Sequence, residues 1–217
     1  MVSAVHAEDS SSASANSSVT IHKTEWATLG ICKIYLAEGP SFFIRDVYLA
    51  ELPADSLVPG ACLDETATDC LLTAGRIYLA ERLAMDYLAR AEHSRFSLSS
   101  KLVKKGYSAD ETARALEYLE QRTFLDDRRF ASAWLRNRII HQKEGRQKLL
   151  AGLMSRGISG KDARTALDDF FGITDERELC KKAVEKLVRL GKDGDKLRSA
   201  LIRKGFSLKL ITDCLKS

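Results

Sequence analysis

Proline is scarce in this chain of 217 residues: there are three prolines, and the last of them is Pro59. The 142 residues from Arg76 onward contain none. Proline disrupts a helix interior because it lacks an N–H and clashes with the preceding turn. The long proline-free part therefore favours uninterrupted helices.

Patterns of metal and disulfide sites are also missing. The five cysteines are an odd number without Cys-x-x-Cys spacing, and the four histidines form no His-x-x-x-His pair. This argues against a disulfide framework and a zinc site, and it favours a reducing compartment. No apolar run approaches the roughly 20 residues of a membrane helix, and the N-terminus has no signal-peptide pattern. We expect a cytoplasmic protein without metal, cofactor or membrane contact.

Motifs of catalysis are absent too. The sequence has no G-x-x-x-x-G-K-[ST] phosphate loop, no G-x-G-x-x-G fingerprint and no G-x-S-x-G elbow. The segment "RLGKDGDK" at 189–196 is interpreted as a helix-end loop. Asp126 and Asp127 precede a helical pattern, so an N-cap and a favourable charge at the helix dipole explain them better than acid–base chemistry. We predict no catalytic residues and no enzyme.

Charge is distributed unevenly. Residues 1–75 hold 3 Lys/Arg and 10 Asp/Glu, whereas residues 76–217 hold 31 and 20. The basic part is therefore expected to meet a polyanion or an acidic protein surface. A helical protein with many solvated ion pairs would produce the same imbalance.

The N-terminal part divides into two segments. Residues 1–18 are rich in Ser and Ala and are predicted to be a disordered tail. Residues 19–75 are predicted to form a small β-containing region and a connector. Its strand patterns are "VTIHK", "ICKIYL" and "SFFIR", which suggest a hairpin or a three-stranded antiparallel sheet, and "ELPADSLVPGACLDE" is the connector.

The C-terminal part repeats itself three times. Glycines 51 and 48 residues apart mark the period: Gly106, Gly157 and Gly205. Leucines stand four and eight residues before each glycine, and an apolar residue and a serine follow it. The leucines form a helix stripe, the glycine ends that helix in a left-handed conformation, and the serine N-caps the next one. Ser108 with Glu111 has the capping-box pattern.

Each repeat is predicted to hold three helices, because a further helical pattern precedes each leucine pair. The predicted units are residues 76–122, 123–172 and 173–217. The fold class is therefore mainly α, with tandem three-helix repeats that form an elongated, curved array after the small β-containing region. We expect a monomer.

Basic residues provide the binding candidates. Residues 128–148 contain seven Lys/Arg and one acid, Glu144, so most of these cations have no local partner in the sequence. The seven-residue spacing of Arg129, Arg136 and Lys143 predicts one basic helix face, flanked by Arg138 and Arg146. Such a face could follow a phosphate backbone or an acidic partner; the alternative is a solvated surface with intrahelical pairs.

Lysines near the first repeat glycine differ in how the repeat constrains them. Lys105 recurs in kind as Arg156 and Lys204, so it suits the negative end of the helix dipole. The positions of Lys101 and Lys104 do not carry a cation in all three repeats. These two lysines are therefore better candidates for contact with a binding partner. Arg95, which precedes them in the same segment, is a further candidate.

The segment "YLARAEHSRFSLSSKLVKKGYSADETARALEYLEQRTFLDDRRFASAWLRNRI" resembles the RecX family, bacterial modulators of the RecA recombinase. The residues that carry the resemblance are Tyr87, Leu88, Arg90, His93, Ser94, Arg95, Leu98, Lys101, Leu102, Lys105 and Gly106, then Phe124, Leu125, Asp126, Asp127, Arg129, Phe130 and Ala131. The sequence departs from the family pattern at Ala91 and Ser97, where charged residues are common. The likeness covers about residues 76–217.

The resemblance implies a non-enzymatic regulator that binds the RecA–single-stranded-DNA filament and restrains its growth, ATP hydrolysis and strand exchange. Such a role belongs to homologous recombination, DNA repair and the SOS response. Two alternatives remain: a helical-repeat module that binds single- or double-stranded DNA directly, and an adaptor for another acidic protein.

Overall fold

The structure is a computed structural model that describes residues 19–49 and 52–216. The predicted tail at residues 1–18 lies outside the described residues. The chain divides into two compact units, and the boundary falls after Tyr78. The first unit contains a β-sheet, and the second contains the three-helix repeats.

The first unit is built on a four-stranded antiparallel sheet with the order β3-β2-β1-β4. The strands are β1 (Val19–Trp26), β2 (Ile31–Leu36), β3 (Phe42–Arg45) and β4 (Cys62–Leu63). The three strand patterns read from the sequence are confirmed. The fourth strand was missed, since its two residues lie in the predicted connector.

One face of this sheet carries the core of the first unit. Cys32, Ile34 and Ile44 are buried there. Because successive side chains of a strand point to opposite faces, the residues between them point away from this core. This alternation leaves a second face, whose residues are mostly polar or aromatic.

The first helix is longer than the sequence indicated. Helix α1 spans Glu65–Leu88, so it begins inside the predicted connector and not near Arg76. Asp64 Oδ1 accepts a hydrogen bond of 2.8 Å from the Ala67 N–H and fixes this start. The capping carboxylate three residues before Ala67 was the signal in the sequence.

Eight further helices follow α1 in the described chain. They are α2 (Arg95–Lys104), α3 (Ala109–Gln121), α4 (Asp127–His141), α5 (Arg146–Met154), α6 (Gly160–Ile173), α7 (Glu176–Arg189), α8 (Gly194–Arg203) and α9 (Leu208–Leu215). The end of α1 with α2 and α3 forms repeat 1; α4–α6 form repeat 2 and α7–α9 form repeat 3. The predicted tandem three-helix architecture is confirmed.

The caps that separate these helices also agree with the sequence. Ser108 and Glu111 form the predicted capping box, with hydrogen bonds of 3.1 and 2.7 Å. The three repeat glycines all have φ between 83° and 90°. This left-handed region is open to glycine and costs other residues roughly 1–2 kcal/mol.

The junction between repeats 1 and 2 is made at the two ends of their second helices. The Ser94 hydroxyl, at the start of α2, donates a 2.8 Å hydrogen bond to the Arg156 carbonyl at the end of α5. Asp127 Oδ1 of α4 accepts 2.8 Å from the Arg95 N–H. A Cβ on Gly157 would collide with the Phe96 side chain.

The junction between repeats 2 and 3 repeats the same geometry. The Gly145 and Gln147 N–H groups, at the start of α5, donate to the carbonyls of Lys204 and Gly205 at 2.9 and 3.2 Å. Glu176 Oε1 of α7 accepts 2.9 Å from the Arg146 N–H. The carbonyl end of one second helix thus lies on the N–H end of the preceding one.

Substituting the repeat glycines tests this junction. Gly205→Ala would place a Cβ against the Lys148 backbone, whereas Gly106→Ala would meet nothing within 4 Å at nearly the same φ. We expect Gly106→Ala to cost about 1 kcal/mol of unfolding free energy from φ alone. Gly205→Ala should cost about 2 kcal/mol more through overpacking. Urea unfolding measures both, and equal losses would contradict the junction.

Candidate partner-binding surfaces

The predicted basic row on α4 is not formed as a three-residue face. Arg129 and Arg136 lie on α4, but the helix ends at His141, before Lys143. Lys143 Nζ turns back and donates to the carbonyls of Ile139 and Ile140 at 2.9 and 3.2 Å. It therefore caps the end of α4, because those carbonyls lie in the last helical turn.

Arg129 is held by several groups that precede α4 in the chain. Its guanidinium donates to the Thr123 and Phe124 carbonyls at 3.0 and 2.7 Å, and it forms an ion pair with Glu92. Thr123 has a positive φ of 60°, and Arg129 thus fixes a strained turn between α3 and α4. The Arg129 side chain is therefore occupied by contacts within the protein.

Arg95 and Arg146 occupy equivalent positions at the first residue of α2 and α5. Arg95 forms an ion pair with Glu120 of α3, and Arg146 forms one with Asp168 of α6. Each pair joins the second and third helices of a single repeat. The pKa of Glu120 is raised, mainly because the carboxyl is partly buried.

Glu144 is the centre of the cation cluster between repeats 2 and 3. Its side chain is only 4% exposed, and it accepts hydrogen bonds of 2.7 and 3.1 Å from Arg138. Lys148 lies 3.5 Å away. Lys204 also faces this carboxylate, and burial lowers the pKa of its ammonium group. Glu144, the single acid of residues 128–148, is therefore the shared counter-charge of several cations.

Lys101 packs within repeat 1. Its Nζ lies 4.4 Å from the centroid of the Tyr87 ring and 3.3 Å from His93 Nε2. The pKa of His93 is lowered by burial and by this neighbouring cation. A cation over an aromatic ring is stabilised in place, which makes Lys101 a poor candidate for a free contact.

Two of the eight sequence candidates remain available. Lys104 and Arg136 make no hydrogen bond or ion pair with any residue that the structure describes. Most cations in residues 128–148 were expected to have no local partner in the sequence, and the structure gives several of them a distant one. Asp162 and Asp168 of α6 pair with Arg128 and Arg146, and Glu92, in the loop before α2, pairs with Arg129.

Arg136 lies at a groove between α4 and α6. The groove floor is apolar, with Ala166 and Phe170, and the rim carries Arg136 and Asp169. Ile173, at the end of α6, is 93% exposed beside it. A groove with an apolar floor and opposite charges at its rim suits a protein side chain better than a nucleic acid.

A second surface, on repeat 3, was not found from the sequence. Lys196, Ser199 and Arg203 lie on one face of α8, and with Lys192 and Asp195 they line a shallow depression. The segment around Lys192 was interpreted only as a helix-end loop. The available signal was the seven-residue spacing of Lys196 and Arg203, because residues seven apart share a helix face.

The described residues were also searched for membrane-spanning helices and metal sites. No helix among them is long and apolar enough to cross a membrane. Nor do they contain a cluster of three or more His, Cys, Asp or Glu side chains placed to hold a metal ion. The five cysteines are free thiols.

Comparisons with known proteins identify the helical part. Residues 80–119 match the family model for the first three-helix domain of RecX, and residues 126–167 match the model for the second. A regulatory protein RecX of Treponema pallidum is 42% identical over 140 residues, 64% of this chain and 85% of that protein. One of Chlorobaculum tepidum is 33% identical over 61% of this chain and 84% of that protein.

Solved structures agree with the fold. A crystal structure of regulatory protein RecX superposes with a TM-score of 0.70 at 26% identity, over 90% of this chain and 99% of that one. RecX from Lactobacillus salivarius has a TM-score of 0.57 over 65% of this chain and 95% of its own, at 22% identity.

The Glu144 cluster gives a stability prediction. Glu144→Gln should lower the unfolding free energy by about 2 kcal/mol, since it leaves several cations together without their buried counter-charge. Glu185→Gln is the matched control, because Glu185 forms an exposed i,i+4 pair with Arg189 at 3.9 Å. The control should cost less than about 0.5 kcal/mol. Similar losses for both variants in urea unfolding would refute the central role of Glu144.

Proposed function

This chain belongs to the RecX family of regulatory proteins, and we propose that it regulates the RecA recombinase by binding the RecA filament on single-stranded DNA. The observation that carries the proposal is the 42% identity with a RecX protein over 140 residues. This stretch is long enough to hold most of the helical repeats. The binding surfaces of these repeats suggest how the regulation works.

The depression on α8 is the surface that best fits DNA phosphates in this proposal. It presents three cations and one acid, together with the Ser199 hydroxyl. Lys and Arg neutralise phosphates and release counterions, and a hydroxyl can donate to a phosphate oxygen. Lys196 and Arg203 make no hydrogen bond or ion pair with the part of the chain that the structure describes, so a ligand need not break existing pairs.

The groove between α4 and α6 is the surface that best fits the recombinase protein. Ile173 and Phe170 offer apolar contact area, and Arg136 offers a charge that can pair with an acid on the partner. Such a combination of an apolar anchor with an arginine is typical of energetically important interface residues. Lys104, at the end of α2, adds a cation for either partner.

Regulation then requires no chemistry of its own. A protein that contacts both the DNA and successive recombinase subunits favours one filament geometry, because a ligand shifts an equilibrium by its differential affinity for the two states. We propose that the favoured state grows slowly and hydrolyses ATP slowly, which makes the protein a non-enzymatic inhibitor. Strand exchange, and with it recombinational repair, would slow as a consequence.

The first test is RecA's DNA-dependent ATP hydrolysis. Addition of this protein to preformed filaments should lower the steady-state rate in a saturable way at substoichiometric to stoichiometric amounts. The readout is phosphate release, with bovine albumin as the control protein. An unchanged rate at stoichiometric amounts would reject the regulatory role.

Charge reversal tests the two surfaces. Lys196→Glu with Arg203→Glu should weaken binding to the filament about 10-fold or more, and Arg136→Glu should weaken it while leaving binding to naked DNA unchanged. Lys161→Glu is the control, since Lys161 adjoins Asp162, which lines an acidic depression with Glu120 and Asp126. Binding is measured by fluorescence anisotropy of filaments on labelled DNA. An equal loss in the control would mean that only net charge matters.

The cations on α8 also fit the alternative, a module that binds DNA directly. Steeply salt-dependent binding to naked DNA without any affinity for RecA would favour it. Binding that needs the recombinase would favour filament regulation. The Arg136→Glu variant separates the two, because the groove it borders serves no purpose in direct DNA binding.

A further inference from the structure

The open face of the β-sheet in the first unit has a composition unlike the rest of that unit. Residues 1–75 contain three cations, Lys23, Lys33 and Arg45, against ten acids. Arg45 is buried and donates to the Leu29 carbonyl at 2.5 Å. Lys23 and Lys33, the two lysines, both lie on the open face of the sheet. The cations of an acidic segment are thus concentrated on one surface.

The strand register places aromatic rings beside these lysines. Lys23 on β1 pairs with Tyr35 on β2, and Lys33 on β2 pairs with Phe43 on β3. Since paired residues share a face, all four side chains project from the same side. Lys33 Nζ lies 4.5 Å from the centroid of the Tyr35 ring and 5.7 Å from that of Phe43.

Both rings are held in place from within the unit. The Tyr35 hydroxyl donates 3.0 Å to Glu25 Oε2, and Glu25 also accepts 2.6 Å from Lys23 Nζ. The Phe43 ring packs on the Tyr78 ring, with centroids 6.2 Å apart, yet Phe43 remains 45% exposed. Tyr35 is half-buried. Rings that are accessible and fixed in orientation lose little entropy when a ligand stacks on them.

We propose that this face binds single-stranded nucleic acid by stacking bases on Tyr35 and Phe43 while Lys23 and Lys33 contact the phosphates. Aromatic rings on a sheet, flanked by cations, are the chemistry that recognises unpaired bases without sequence preference. The two rings are diagonal neighbours, about 7–8 Å apart in a regular sheet. This separation suits two successive, unstacked nucleotides, whereas duplex bases are already stacked on each other.

The aromatic rings, more than the charge, favour a nucleic acid over an acidic protein segment as the ligand of this face. Two lysines supply only a modest attraction, and Glu25 offsets part of it. An acidic peptide would gain little from one exposed and one half-buried ring, but a base gains a stacking contact on each. Lys33 would move from the ring faces to a phosphate, which its flexible side chain allows.

The first experiment separates stacking from simple apolar contact. The full chain is titrated with a fluorescein-labelled oligothymidine at about 0.3 M salt, where binding through phosphates alone is weakened. Phe43→Leu should reduce affinity about 5- to 100-fold, and Phe43→Trp should restore it, because stacking needs a ring. Val47→Ala, an exposed apolar residue of the same unit, should change nothing.

The same titration has outcomes that overturn the proposal. Unchanged affinity for Phe43→Leu would show that the ring does not touch the strand. Equal losses for the Leu and Trp variants would show that the surface recognises shape or a protein and not bases. Lys33→Gln should lower the slope of log affinity against log salt by about 0.7, and Phe43→Leu should leave this slope unchanged.

A measurement without substitutions guards against misfolded variants. Oligouridine that carries 5-iodouracil is irradiated with the unmodified chain, and cross-linked peptides are identified by mass spectrometry. Adducts on Tyr35 or Phe43 are expected, because a photoactivated base reacts with a ring on which it stacks. Adducts confined to residues 79–217 would overturn the sheet site while leaving the proposed regulation of RecA intact.

Discussion

The repeat junction, in which the carbonyl end of one second helix meets the N–H end of the preceding one, is the constraint on which the helical unit depends. Helix ends leave backbone groups without partners, and here each junction satisfies donors and acceptors together. The carbonyl groups of Lys204 and Gly205 serve the start of α5 in this way. The close approach requires glycine at the contact, for steric reasons as well as for its positive φ.

This constraint also decides which cations are free. Arg95 and Arg146 stand at the starts of α2 and α5, where the junction and the third helix of the repeat both hold them. The equivalent position in α8 is Gly194, which has no side chain that could pair with the third helix of its repeat. Lys196 and Arg203 on α8 make no hydrogen bond or ion pair with the described residues.

The sequence predicted the repeat well because its signals are local. The leucine stripe, the repeat glycine and the N-cap serine lie within about a dozen residues of one another. The Ser108–Glu111 capping box and the Asp126 N-cap are contacts within one helical turn. The ion pairs of the basic side chains were harder to predict. Arg129 and Glu92 are 37 residues apart, and Arg146 and Asp168 are 22 apart. Pairs at such separations follow from tertiary packing, which helical periodicity does not encode.

The same distinction applies to the sheet. The two-residue strand Cys62–Leu63 is too short to show a periodicity in the sequence. It is recognised only from its hydrogen-bonded pairing with β1. The alternation along β2 is visible in the sequence, but its meaning depends on which face of the sheet is buried. Once Ile34 is placed in the core, Lys33 and Tyr35 must lie on the outer face. A strand pattern therefore defines two faces, and tertiary packing determines which of them stays exposed.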